Sequence, residues 1–296
     1  MPKTPPQHDS VARQPRCLLR VSLLIALLGA GALAAQVGAP QTGRPETRSF
    51  GEMEQLLAQG FYALAAQVEG PRLVESFPEA AEAHYLYARA LYLTGDVATA
   101  QAELDVATAL KGGVAARYEQ LAGLLAAARG ERAAAQAHLR AAWGLEPSSY
   151  SIAMDLGRVA WQAGDYDTAL AAYRAAADTE VGSSQPWPLL NGARLLLYQG
   201  RPQSAIDLLE QTLDLLDATA LDTTSLDTTS GDAAAQSPAL PSPAYTEAFY
   251  RLGQAYEALG DLEQARSNYE AASFADPTYE PARTARERLT PGPSRP

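Results

Sequence analysis

The side chains that do most protein chemistry are scarce here and badly arranged for it. The 296 residues include three histidines, His8, His84 and His138, and one cysteine, Cys17. His8 lies in the polar leader. His84 falls on the inner face of an apolar-periodic helix, the place of a packed core side chain, and His138 has no partner at metal-ligand spacing. No H-E-x-x-H, G-x-S-x-G or phosphate-cradling glycine loop occurs. Tyr85, Tyr92, Tyr173 and Tyr269 are spaced as helix-packing residues, and the carboxylates are scattered as solvated helix charges. Catalysis needs groups that converge in a pocket. The expectation is therefore a non-enzyme with no cofactor and no metal. What remains is arginine beside aromatic and apolar residues: Tyr85, Arg89 and Tyr92; Met154, Arg158 and Trp161; Leu190, Arg194 and Tyr198. Within each set the spacing is three or four residues, so its members share one helix face. Each face offers a bidentate donor next to a flat apolar surface, which is binding chemistry.

Charge narrows the partners. The net charge is −11. Residues 1–35 hold four basic residues and one acidic, so the remainder carries 19 basic and 33 acidic residues, a net charge of −14. Such a surface repels nucleic acid and anionic lipid, and other proteins or peptides are the expected partners. Apolar residues make up 47%, much of it alanine, with five Phe and three Trp. Alanine is the best helix former, and this composition predicts an all-α protein.

The N-terminus has a targeting layout. Residues 1–20 are polar and basic, Val21 to Val37 is apolar, and Ala32, Leu33, Ala34, Ala35 and Gln36 end the run with small residues. Residues 1–35 thus read as a signal peptide cleaved near Ala35, with an uncleaved membrane anchor as the alternative. Export to a periplasm or cell envelope is expected, and a body without cysteine suits an oxidising compartment. Residues 36–45 read as a linker.

A repeat organises the rest. Gly60, Gly95, Gly130, Gly164 and Gly200 are 35, 35, 34 and 36 residues apart, and Gly260 follows. An alanine stands five residues after each, at Ala65, Ala100, Ala135, Ala169, Ala205 and Ala265. Glycine ends one helix in the left-handed conformation, Asp96, Asp165 and Asp261 can cap the next, and the alanine lets two helices approach. Residues 246–279 supply Phe249, Leu252, Gly253, Tyr256, Gly260, Ala265, Tyr269, Ala272 and Pro277. This pattern resembles the tetratricopeptide repeat family, with helix pairs every 34 residues or so, and the leader suggests an exported bacterial member. Copies are expected at 81–115, 116–149, 150–181 and 186–219. The copy at 116–149 departs from the pattern, with Glu119 where a large apolar residue belongs, and the copy at 46–80 is an atypical cap.

The resemblance implies a right-handed superhelical solenoid of antiparallel helix pairs. Repeats one to five span 46–219, and the last repeat with a capping helix spans 245–290. A Ser/Thr/Asp/Pro-rich insert, 220–244, is expected to be disordered, and 291–296 is a tail. The family's concave groove is lined by first helices, which places Tyr85, Arg89, Tyr92, Leu124, Met154, Arg158, Trp161, Leu190, Arg194, Tyr198, Tyr250 and Gln254 there. Arg89, Arg158 and Arg194 occupy the same register, a broken line suited to acidic segments unless the chain's own carboxylates neutralise it. Tyr85 and Leu121 stand where the family's carboxylate clamp needs polar donors, so that activity is not carried over. The expected function is a protein-interaction scaffold of the cell envelope. The alternatives are a membrane-anchored structural subunit and an accessory to a separate cell-wall or carbohydrate-processing enzyme.

Overall fold

The computed structural model describes residues 45–225 and 243–290. The chain divides into two compact units, Met1–Arg48 and Ser49–Pro296, and the helical repeats belong to the second. The helices come in antiparallel pairs: α1 (Pro45–Ala58) with α2, a broken helix of Tyr62–Leu64, a π-helical turn Ala65–Glu69 and Gly70–Ser76; α3 (Ala81–Thr94) with α4 (Val97–Lys111); α5 (Ala116–Ala128) with α6 (Arg132–Leu145); α7 (Tyr150–Ala163) with α8 (Tyr166–Ala177); α9 (Trp187–Tyr198) with α10 (Pro202–Ser225); α11 (Pro243–Leu259) with α12 (Leu262–Ala275). A last helix, α13 (Glu280–Leu289), packs on α12. No strand occurs among the described residues, so this unit is an all-α repeat solenoid. None of the described helices is long and apolar enough to cross a membrane.

The turn chemistry is the one the glycine period predicts. At Gly95 φ is +88°, and the chain closes with Gly95 N–H donating to Tyr92 O and Asp96 N–H to Leu91 O, each at 3.0 Å. The same two bonds recur at every turn glycine, for instance Gly164 to Trp161 and Asp165 to Ala160, both 2.9 Å. They satisfy carbonyls that a helix end leaves free. Asp96, Asp165 and Asp261 then accept from the backbone N–H of Thr99, Thr168 and Gln264 at 3.1–3.2 Å. Five residues past each glycine, all six alanines are 0% exposed.

Between paired helices the core is built from one small and one large side chain. A Cβ on Gly157 would lie 2.5 Å from the Tyr173 ring, and one on Gly253 equally close to Tyr269. The same register holds Gly123 with Leu139, Ala88 with Leu104 and Ala193 with Leu209, all buried. Tyrosine faces glycine, and leucine faces alanine or glycine, so volume is conserved across the pair.

The irregular copy at 116–149 has a structural reason. Glu119 on α5 accepts from His138 Nδ1 on α6 at 2.7 Å. One repeat earlier the same two places hold His84 and Glu103, with the residue types exchanged and Nδ1 2.6 Å from the carboxylate. His84 is 9% exposed, and its Nε2 lies 3.0 Å from Pro78 O. In the next copies these places carry Ala153 and Ala172, then Leu189 and Leu208. A hydrogen-bonded His–Glu pair thus replaces an apolar pair at two successive levels of the stack.

The insert is shorter than its composition suggests. Residues 220–225 continue α10 and 243–244 begin α11. No glycine or proline interrupts the sequence between Pro202 and Gly231, so nothing stops the helix at 219. Residues 226–242 lie outside those described, as do the leader, nearly all of the linker 36–45, and the tail.

Candidate concave binding site

The first helices of successive repeats lie side by side, α3 against α5, α5 against α7 and α9 against α11. α7 and α9 stand further apart. The connector before α9 spans 178–186 and contains a 3-10 turn, Gly182–Ser184, whereas α6 and α7 are joined by only 146–149. A buried cluster, with Thr179 Oγ1 donating to Ala176 O at 2.7 Å and accepting from Gly182 N–H at 2.9 Å, fixes that turn against the end of α8.

Where α7 and α9 separate, a hollow of about 740 Å³ opens, lined by Met154, Asp155, Arg158, Trp161, Tyr166, Tyr173, Asn191, Arg194 and Tyr198 among others. Five of the residues placed in the groove from sequence meet here: Met154, Arg158, Trp161, Arg194 and Tyr198. Trp161 and Tyr198 have ring centroids 6.4 Å apart, and Tyr166 meets Tyr198 edge-on at 5.5 Å. The Arg194 guanidinium lies 5.7 Å from the Trp161 ring centroid, within cation–π range. Arg194 also donates to Asn191 Oδ1 at 3.3 Å, and its Nε is 3.7 Å from Glu247. Asp155 accepts from Gln120 at 2.8 Å and from Arg158 at 3.0 Å. Burial pushes the Tyr173 hydroxyl up to about 12, partly offset by the charges of Arg158 and Arg194.

The remaining residues placed in the groove do other things. Leu190 is 1% exposed and belongs to the core. It sits one residue before Asn191, and the helical rotation turns it inward. Tyr85 is 8% exposed, stacked on Tyr118 at 5.0 Å beneath the guanidinium of Arg117, which pairs with Glu82. Tyr92, on α3, is half-buried, and burial raises its hydroxyl, with Arg158 of α7 lowering it and Asp155 raising it further. Leu124 is half-buried on α5. Tyr250 and Gln254 bond one another at 3.2 Å, with Arg251 donating to Gln254 at 2.8 Å. Arg89 is exposed and makes no ion pair among the described residues, whereas Arg158 and Arg194 each have a carboxylate of the chain nearby. The line of three arginines therefore resolves into two at one hollow and one apart.

A second hollow of about 410 Å³ adjoins the first, with Trp187, Glu247, Arg251 and Tyr279 in its wall, and Asn191 and Arg194 border both. Sequence reasoning missed Tyr166, Tyr173 and Asn191. Asn191 carries a usable signal, three residues before Arg194 on the same face. Tyr166 and Tyr173 carry none, because they reach the hollow from the second helix. Among the described residues no group of His, Cys, Asp and Glu could hold a metal ion.

The described residues form a helical-repeat scaffold that gathers aromatic and arginine side chains round one hollow. Family models for the tetratricopeptide repeat match residues 54–115, 121–183 and 246–279. The chain belongs to the tetratricopeptide repeat family, whose fold is typically a non-catalytic scaffold that binds proteins or peptides. A comparison with curated proteins gives no match. Solved structures with the same fold include PilW, a type IV pilus biogenesis factor (14% identity, 82% of this chain and 99% of that one, TM-score 0.61). Others are pilF of Pseudomonas aeruginosa (17%, 82% and 97%, 0.57) and YrrB, a repeat protein with an unusual peptide-binding site (18%, 75% and 99%, 0.54).

Proposed function

We propose that this scaffold binds an extended or helical segment of a partner protein on its concave face, anchored in the hollow between α7 and α9, and that acidic segments are preferred there. The observation that carries this reading is the gathering of Trp161, Tyr198, Arg158 and Arg194 round one cavity. Aromatic and arginine side chains dominate binding hot spots, and a body of net charge −14 repels acidic partners elsewhere on its surface. The test is capture of a partner by the full chain, followed by affinities of Trp161→Ala and Arg194→Ala with unchanged helicity. Each should weaken binding by about tenfold or more. Two variants that hold the partner as tightly as the wild type would move the site to another face.

The basic, apolar and small-residue layout of residues 1–35 supports export, so the partner is to be sought in the periplasm or cell envelope. The native protein should then begin near Ala35, and an intact Met1 would defeat the cleaved-leader reading.

A further inference from the structure

The last repeat holds a closed version of the hollow that stands open between α7 and α9. Tyr269 there is 1% exposed, and its hydroxyl donates to Glu257 Oε2 at 2.8 Å. The Arg288 guanidinium, from the helix that follows, donates to both oxygens of the same carboxylate, at 2.5 and 2.7 Å. One carboxylate thus sits between a buried phenol and the arginine of the next helix. Tyr173 is the counterpart of Tyr269, nine residues past its turn glycine, and Arg194 reaches in from the next helix as Arg288 does. Glu257 precedes its turn glycine by three residues, and there the α7–α8 pair carries Trp161 instead.

The exchange leaves a donor without an acceptor. Tyr173 is 3% exposed, yet it borders the cavity, and its hydroxyl has no hydrogen-bond partner among the described residues. The hydroxyl opens into the cavity, where an acceptor on a bound segment can reach it. Arg158 and Arg194 add positive charge at the same place, and Trp161 and Tyr198 supply flat apolar walls. The acceptor that fits a phenol donor beside two guanidiniums is an anion of carboxylate size, which is what the chain itself provides at Glu257.

We infer that Tyr173 is a specificity-determining residue, its hydroxyl donating to a carboxylate of the bound segment in the place that Glu257 fills at the last repeat. This rests on the proposed concave site and names the chemistry that its anchor reads. The carboxylate can be an Asp or Glu side chain or a chain terminus. Three probes separate these sources: acetyl-Leu-Glu-Leu-amide, acetyl-Leu-Leu-Leu with a free terminus, and the neutral acetyl-Leu-Gln-Leu-amide. Each is titrated to millimolar concentration into the full chain and followed by NMR of the Trp161 indole. At least one acidic probe should bind about tenfold more tightly than the neutral one, and Tyr173→Phe should abolish that preference with unchanged melting. Tyr269→Phe should lower stability and leave the preference intact. Equal binding of acidic and neutral probes, silence from both acidic probes, or a Tyr173→Phe variant that keeps the preference overturns the assignment. If the neutral probe binds the hollow, the concave site stands without its acid subsite. If the acid preference is seen but Trp161→Ala and Arg194→Ala leave the captured partner bound, the docking proposal fails and the subsite stands.

Discussion

Gly157→Ala is the sharpest test of the packing rule between paired helices, because propensity and packing predict opposite signs. Inside a helix, alanine for glycine ordinarily stabilises by about 0.5–1 kcal/mol. At Gly157 the new Cβ would lie 2.5, 2.6 and 3.0 Å from Cε1, Cδ1 and Cζ of Tyr173, where carbon–carbon contacts are optimal near roughly 3.5–4.0 Å. The ring must move by about an ångström, and it is held among Ala160, Ala169 and Leu190, all buried. Overpacking of this kind costs about 1–3 kcal/mol. The ring borders the hollow on one side, which puts the cost in the middle of that range, and set against the propensity gain the net effect is a destabilisation of about 1–2 kcal/mol, a fall in Tm of roughly 2–8 °C for a unit of this size. Urea unfolding of the full chain by circular dichroism measures it. Gly51→Ala is the control, since a Cβ there meets nothing within 4 Å, and it should stabilise. Combining Gly157→Ala with Tyr173→Leu recreates the alanine–leucine arrangement of Ala88 with Leu104. The double variant should be more stable than the sum of the single effects by about 1 kcal/mol or more. A Gly157→Ala variant that gains stability like Gly51→Ala, or a double variant that is merely additive, would refute the volume rule.

Two further outcomes concern paired carboxylates that the repeats place differently. His84→Leu alone should cost about 1–3 kcal/mol by stranding the half-buried Glu103 carboxylate, whereas His84→Leu with Glu103→Leu should fall close to wild type, because Leu189 and Leu208 occupy these places in a later repeat; a double variant as unstable as the single one would contradict this. Arg288, with help from the Tyr269 hydroxyl, holds the Glu257 carboxyl below its ordinary value of 4.5 against the opposing effect of burial. A depressed carboxyl stabilises the fold above its unfolded pKa and ceases to do so as pH falls through the folded one. Urea midpoints of wild type and Glu257→Gln should therefore differ near neutrality and converge below about pH 4, and a gap that persists unchanged in acid would remove the charge from the explanation.

Much of this architecture was legible because its determinants are local. Gly95 needs a positive φ, Asp96 needs only the backbone N–H three residues ahead, and Ala100 needs a neighbouring helix at close range, so each shows as a residue type at a fixed interval. Glu119 looked like a defect for the opposite reason. Its partner His138 lies nineteen residues away on another helix, and the signal was the His84 and Glu103 pair with its types reversed one repeat earlier. The end of α10 was misplaced because composition suggested a loop, while the absence of glycine and proline before Gly231 let the helix run to Ser225.

The sequence by itself determined the helix pairs, their turns and the register that puts Arg158, Trp161 and Arg194 on inward faces, since all of these follow from periodicity along one chain. Only the tertiary structure decided which of those faces open. The longer connector at 178–186 parts α7 from α9 and makes a cavity, close packing buries Leu190 and Tyr85, and Tyr173 becomes a donor at a cavity wall rather than plain core. The physical reason is that periodicity fixes the direction of a side chain from its own helix axis, whereas exposure and unmet hydrogen bonds depend on how far away the next helix stands.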